Sequence, residues 1–98
     1  MIIEMRTYTL APGGVKAYLD KYNESGRAIQ TEILGNLLGL YQPQSGDLNQ
    51  IIFLWGYKDM NEREQRRAQL MKDPVFTGFR QATRALLLKQ ENRFLSVA

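Results

Sequence analysis

The stretch LNQIIFLWGY, Leu48 to Tyr57, decides the fold. It contains the longest apolar run in the chain and is rich in β-branched and aromatic residues, the composition of a strand through the middle of a sheet. Strand side chains alternate in direction, so one face carries Asn49, Ile51, Phe53, Trp55 and Tyr57 and the other Gln50, Ile52, Leu54 and Gly56. Both faces are largely apolar, and both require a cover. Helices of the same chain can supply one, and the simplest source of the other is a second copy.

Immediately upstream, Leu34 to Gln42 reads as a strand in which Gly35 and Gly39 allow a bulge or a close backbone approach. The tract Pro43 to Asp47 is made of turn formers and reverses this strand into an antiparallel hairpin with the Leu48 strand. At the start of the chain, Ile3, Met5, Thr7 and Thr9 alternate with Ile2, Glu4, Arg6, Tyr8 and Leu10, which predicts another strand. Pro12 suits a first helical position, and Val15, Tyr18, Leu19 and Tyr22 follow at the spacing of an amphipathic helix. Gly26 is its expected stop, and Ala28 to Ile33 reads as an irregular connection with some helical turns.

Downstream, Asp59 and Asn61 are rival N-caps, and Glu62 completes a capping box with Asp59. The helix that follows is expected to bury Met60, Arg67, Leu70 and Met71, with Arg63 at the edge of that stripe. Asp73-Pro74 starts a further helix whose inward residues are Val75, Phe76, Phe79 and Ala82, and Leu86 to Leu95 closes the chain as a strand. The order β-α-β-β-α-α-β predicts an α+β fold of the ferredoxin-like, split βαβ type, with a four-stranded antiparallel sheet and a broken second helix. In that topology the last strand runs antiparallel beside the first. Glu91 and Arg93 are therefore expected to meet Arg6 and Glu4 as opposite-charge pairs, each contributing roughly 0.2 to 1 kcal/mol.

The chain of 98 residues fits one domain, residues 1–98, which buries roughly 60 to 70% of its unfolded surface. A net charge of +3, with arginines and lysines spread along the sequence, does not resemble a nucleic-acid-binding arm. No segment approaches the roughly 20 apolar residues of a membrane helix, and the opening MIIEMRTYTL has charges where a secretory signal has an apolar core. The expectation is a soluble cytoplasmic protein without nucleic-acid or membrane partners. Cysteine and histidine are both absent, which removes disulfides, thiolate chemistry, the usual zinc and copper sites, Ser/His triads and histidine-ligated haem. No metal and no cofactor is expected.

Four segments, EMRTYTLAPG (4–13), GNLLGLYQPQSGDLNQIIFLWGY (35–57), EREQRRAQLMKDPVF (62–76) and QENRFL (90–95), together resemble the NIPSNAP family. The resemblance runs from Ile3 to Leu95 with the motifs in family order, and this chain looks like a bare single-domain member of bacterial type. It implies a dimeric α+β barrel, in which two ferredoxin-like sheets pack face to face, and hence a homodimer with the number of copies above two left open. It implies little about activity. Larger eukaryotic members are associated with binding, trafficking or mitochondrial roles, and the wider superfamily includes cofactor-free monooxygenases, haem-dependent enzymes and small-molecule isomerases or decarboxylases. Fold analogy does not choose among these.

The candidate site is a pocket between sheet and helices, walled by Trp55, Tyr18 and Tyr22, in which Arg63 or Arg67 holds a small carboxylate or aromatic ligand. Arg6, Tyr8, Asn49 and Gln90 complete the set, all at positions that match the family's motifs. The competing reading makes Glu4, Arg6, Glu91 and Arg93 a structural ion-pair ladder and the aromatics plain core. Arg63, Arg66 and Arg67 have the same ambiguity, because Glu62 and Glu64 can pair with them on a solvated helix face. Two functional classes follow: a small-molecule binder or monooxygenase- or isomerase-like enzyme, and an assembly module without a ligand. An enzyme would have to move protons with a tyrosine or glutamate of strongly shifted pKa, since no histidine is present.

Overall fold

The computed structural model describes all residues, Met1–Ala98. Alternation in the first residues produces β1 (Ile2–Leu10), and the two arms of the hairpin become β2 (Leu37–Tyr41) and β3 (Gln50–Tyr57). With β4 (Leu87–Ser96) they form one antiparallel sheet in the order β2-β3-β1-β4, which is the ferredoxin-like arrangement. The helices are α1 (Gly14–Lys21), α2 (Arg27–Leu34), α3 (Met60–Lys72) and α4 (Pro74–Thr83), and none is long and apolar enough to cross a membrane.

Every helix lies on one face of the sheet. The shortest dimension of the backbone, 18 Å, accommodates the sheet and a single helical layer. The covered face presents Ile51, Phe53, Trp55 and Tyr57 of β3 beside Tyr8 and Leu10 of β1, and these pack on Tyr18, Tyr22, Leu34, Leu70, Phe76 and Phe79. The other face, with Met5, Ile52 and Leu54, has no element of the chain over it.

Helix α1 does not end at Gly26, nor is Ala28 to Ile33 irregular. A π turn, Tyr22–Gly26, joins α1 to α2 in one continuous helical run, closed by the Arg27 amide donating to the Tyr22 carbonyl. Gly14, Tyr18, Tyr22, Gly26, Gln30 and Leu34 are all buried, every fourth residue. An α-helix turns 3.6 residues per turn, so a stripe repeating every fourth residue drifts by about 40° at each step. The wider π turn takes back part of that drift and keeps the stripe on the sheet. Gly26 is needed there for space, since a Cβ at this position would come within 2.8 Å of the Phe79 ring.

The stop is Gly35, at φ 92, where the sequence pattern had placed a strand residue. Leu34 thus belongs to α2, and β2 is shorter than expected at both ends. At the other end of α1, Gly13 is the N-cap at φ 78 and the helix begins at Gly14, two residues after Pro12.

Asp59 caps α3, accepting from the Glu62 amide at 2.8 Å, while the Glu62 carboxylate accepts from the Lys58 amide rather than that of Asp59. Asp73 caps α4 through the Phe76 amide at 2.9 Å, with Pro74 in the first turn. Of the residues expected to face inward, Leu70, Phe76 and Phe79 do, whereas Met60, Met71, Val75 and Ala82 are exposed. Helix α4 is turned so that Thr83 takes the inner position adjoining Ala82.

The register of β4 overturns the expected charge ladder. Glu4 stands opposite Phe94 and Arg6 opposite Asn92, while Glu91 and Arg93 face Thr7 and Met5 on the uncovered side of the sheet. Side-chain direction in a strand has a period of two, so a difference of one residue sends a whole charge set to the other face.

Candidate functional site

Glu4 is 0% exposed, a carboxylate at the centre of the covered face. Three side chains from three elements satisfy it. Arg63 of α3 donates from Nη2 at 2.8 Å and from Nε at 3.3 Å, Arg6 of β1 donates from Nη1 at 3.0 Å, and Asn92 of β4 donates from Nδ2 at 2.8 Å. Burial alone would raise the Glu4 pKa, but the hydrogen bonds from Arg63 and Asn92 and the nearby arginine charges outweigh it and hold the carboxyl below its ordinary range. Arg63 is further engaged by Glu64 at 2.6 Å and lies over the Phe94 ring. Its charge is spent on structure.

The other two helix arginines diverge. Arg66 donates to the Ile33 carbonyl at 3.0 Å and so satisfies an orphan acceptor at the end of α2. Arg67, one residue on, turns toward the sheet and has no carboxylate or carbonyl partner in the chain. Its guanidinium is half-buried, and burial together with the charge of Arg6 lowers its pKa from the ordinary value, although an arginine stays cationic throughout the physiological range.

Arg67 lines a cleft of about 590 Å³ between the sheet and the helices. The sheet contributes Arg6, Tyr8, Leu87 and Gln90, α1 contributes Tyr18, and α2 contributes Gln30. Helix α4 and the turn after it supply Phe76, Arg80 and Arg84, with Met71 of α3 beside them. Arg6 donates from Nε to the Tyr8 hydroxyl at 3.3 Å, and the Tyr8 and Tyr18 rings meet edge to face at 6.0 Å. Burial raises the pKa of the Tyr18 hydroxyl far above its ordinary value, so it stays protonated. Four arginines and no carboxylate line the cleft, with Tyr8, Tyr18, Phe76, Met71 and Leu87 supplying its apolar surface among glutamines and threonines. Such a lining suits an organic anion. No cluster of three or more histidine, cysteine, aspartate or glutamate side chains exists to hold a metal.

Of the nine residues selected from the sequence, Arg6, Tyr8, Tyr18, Arg67 and Gln90 come together in this cleft. Trp55 does not wall it: the indole is 0% exposed, stacked on Phe53, with Nε1 lacking any partner. Tyr22 is buried behind the cleft, where its hydroxyl donates to Gln30. Arg63 is tied to Glu4, and Asn49 sits just before β3 with its carbonyl accepting from the Leu10 amide.

Sequence reasoning missed Gln30, Arg80 and Arg84. Gln30 fell in the tract read as irregular. Thr77, Arg80, Gln81 and Arg84 form a polar stripe at helical spacing beside the apolar Phe76 and Phe79, and that pattern could have revealed the second pair of arginines.

Compared with known proteins, residues 3–98 match the profile of the family described as NIPSNAP. Protein NipSnap homolog 1 of Danio rerio is 32% identical over 95 residues, which is 96% of this chain and 33% of that protein. The chain therefore spans about a third of that relative's length. A crystal structure of a NIPSNAP family protein with unknown function from Agrobacterium tumefaciens superposes with a TM-score of 0.97 at 36% identity, over 100% of this chain and 88% of that one. A solved antibiotic biosynthesis monooxygenase superposes with a TM-score of 0.69 over 100% of this chain and 99% of its own, but at 15% identity it shares the fold alone.

Proposed function

The chain belongs to the NIPSNAP family, and from that premise we propose that it binds a small organic anion with an aromatic or apolar body in the cleft between sheet and helices. One observation carries this reading. Arg67 is a half-buried guanidinium without a protein acceptor, in a cleft that contains no carboxylate. A buried cation without a counter-ion costs stability, so an unpaired one facing a cavity suits a ligand that supplies the missing charge. The rings of Tyr8, Tyr18 and Phe76 offer the apolar body its surface. Tyr18 stays protonated and Glu4 is held by three donors, so neither serves as a ready base, which favours binding over proton-transfer chemistry.

Calorimetric titration with aromatic carboxylates at neutral pH tests the reading. Binding that weakens by about tenfold to a hundredfold in Arg67→Met, and not in Lys58→Met at an exposed lysine outside the cleft, is the expected result for a charge-assisted hydrogen bond. Equal affinity in wild type and Arg67→Met, or no binding at millimolar concentration, would overturn it. The uncovered sheet face, with Met5, Ile52 and Leu54, is proposed to pair with the same face of a second copy across roughly 1,200 Å² or more. Light scattering at micromolar concentration that gives the mass of a single chain would sink that part.

A further inference from the structure

Given an anion in the cleft, one uncharged side chain decides which anion. Gln30 is 3% exposed yet faces the cleft, and its one hydrogen bond within the protein is with Tyr22, whose hydroxyl stands 2.6 Å from Oε1. That separation suits an O–H···O bond and is short for N–H···O, so the amide oxygen points at Tyr22 and the NH₂ group points away. Tyr22 cannot swing aside. It is itself buried, with the Phe53 and Phe79 rings at 5.3 and 5.7 Å, and burial raises its pKa so that the hydroxyl keeps its proton. No protein group accepts from Gln30 Nε2, and this nitrogen, unlike the enclosed Trp55 Nε1, is open to the cleft.

We propose that Gln30 is a specificity-determining residue: held by Tyr22, it offers the ligand N–H donors and no acceptor, and so selects an acid that carries an uncharged acceptor oxygen, as a 2-oxo acid does. This rests on the anion-binding reading above. Arg67 is the natural partner of the charged group, since a fork-shaped guanidinium matches a carboxylate. The amide, without charge, complements a carbonyl oxygen, and an acid that lacks one leaves a buried donor unmet.

The test uses the full chain with two anions of nearly equal shape, phenylacetate and benzoylformate, which differ in a methylene against a carbonyl. Titration calorimetry on the wild type is expected to show benzoylformate bound about tenfold more tightly, the effect of one such hydrogen bond. That preference falls to about one in Gln30→Leu. Should Gln30→Leu fold poorly, because Tyr22 then loses its acceptor, the double variant Gln30→Leu/Tyr22→Phe removes both ends of the bond and is expected to give the same loss of preference. Arg67→Met weakens both acids and leaves their ratio unchanged. Equal affinity of the two acids for the wild type, or an undiminished preference in the double variant, overturns the role of Gln30 while the anion-binding reading stands. Failure of both acids to bind the wild type overturns both readings.

Discussion

Arg63 and Glu4 lie 59 positions apart in the chain and meet through two hydrogen bonds, Nη2 to Oε2 at 2.8 Å and Nε to Oε1 at 3.3 Å. This pair pins α3 to the middle strand β1, and Arg6 and Asn92 complete the carboxylate's set of donors. Glu4→Gln leaves the half-buried Arg6 guanidinium without its anion and Arg63 with Glu64 alone, and is expected to cost about 2–4 kcal/mol in urea unfolding. Its pH dependence has a definite sign. The Glu4 pKa is lowered on folding from its ordinary 4.5, so its contribution is complete above pH 4.5 and disappears as the pH falls through the folded value. Wild type should therefore lose stability below pH 4.5 more steeply than Glu4→Gln. Parallel acid limbs for the two proteins would contradict this account.

Gly26 and Gly78 both lie in helical segments but in opposite surroundings. A Cβ at Gly26 meets the Phe79 ring at 2.8 Å, whereas one at Gly78 meets nothing within 4 Å. Gly78→Ala is expected to stabilise by about 0.5–1 kcal/mol through helix propensity alone. At Gly26 the same gain is outweighed by overpacking, and Gly26→Ala should destabilise by about 1 kcal/mol net. Thermal unfolding of the two variants reads the difference in sign directly, and stabilisation by both would mean that Phe79 yields freely.

Tyr57 and Tyr22 are equally buried but differ in their hydroxyls: that of Tyr57 has no partner, while that of Tyr22 donates to Gln30. Tyr57→Phe is expected to be neutral or stabilising by up to about 1 kcal/mol, and Tyr22→Phe to cost about 1–2 kcal/mol by stranding the amide oxygen of Gln30. Burial also pushes the Tyr57 hydroxyl up to about 12, so the folded state holds this proton more tightly than the unfolded chain. Stability from this group is full below pH 10 and is lost as the pH rises toward 12. The ionised-tyrosine absorbance contributed by Tyr57, read as the difference between wild type and Tyr57→Phe, should accordingly rise together with alkaline unfolding. Ionisation of Tyr57 well before unfolding would refute its burial.

Arg67 should show a conflict between stability and binding. Burial and the neighbouring Arg6 both disfavour its charge in the folded protein, and the charge of Glu4, which makes no contact with it, offsets them only in part. Arg67→Met is thus expected to raise stability by about 0.5–1 kcal/mol while weakening anion binding. Chemical denaturation of the ligand-free variant is the measurement. A clear loss of stability would mean that the arginine serves the fold rather than the cleft.

The elements were largely legible because their signals are local. Alternation gave β1 and β3, the turn formers gave the hairpin, and Asp73-Pro74 gave the start of α4. The continuous helix through Gly26 was not legible, because a glycine reads as a stop unless the ring that needs its missing side chain is known, and Phe79 is 53 residues away in the chain. The rotation of α4, which exposes Ala82 and buries Thr83, was equally hidden.

The candidate cleft shows the same division. Residue types alone pointed to tyrosines and an arginine, but of the three aromatic residues chosen as walls only Tyr18 lines the cleft, and which arginine remains free was not legible. Arg63, Arg66 and Arg67 occupy adjoining positions on one helix, and their roles separate only when Glu4 engages the first and the Ile33 carbonyl the second. By itself the sequence determined the four strands, three of the four helices and their ferredoxin-like order, since periodicity and capping act between near neighbours. Tertiary structure alone decided which charges face one another. Strand register reverses a side chain's face with a single residue, and a helix can turn about its axis to meet a distant partner.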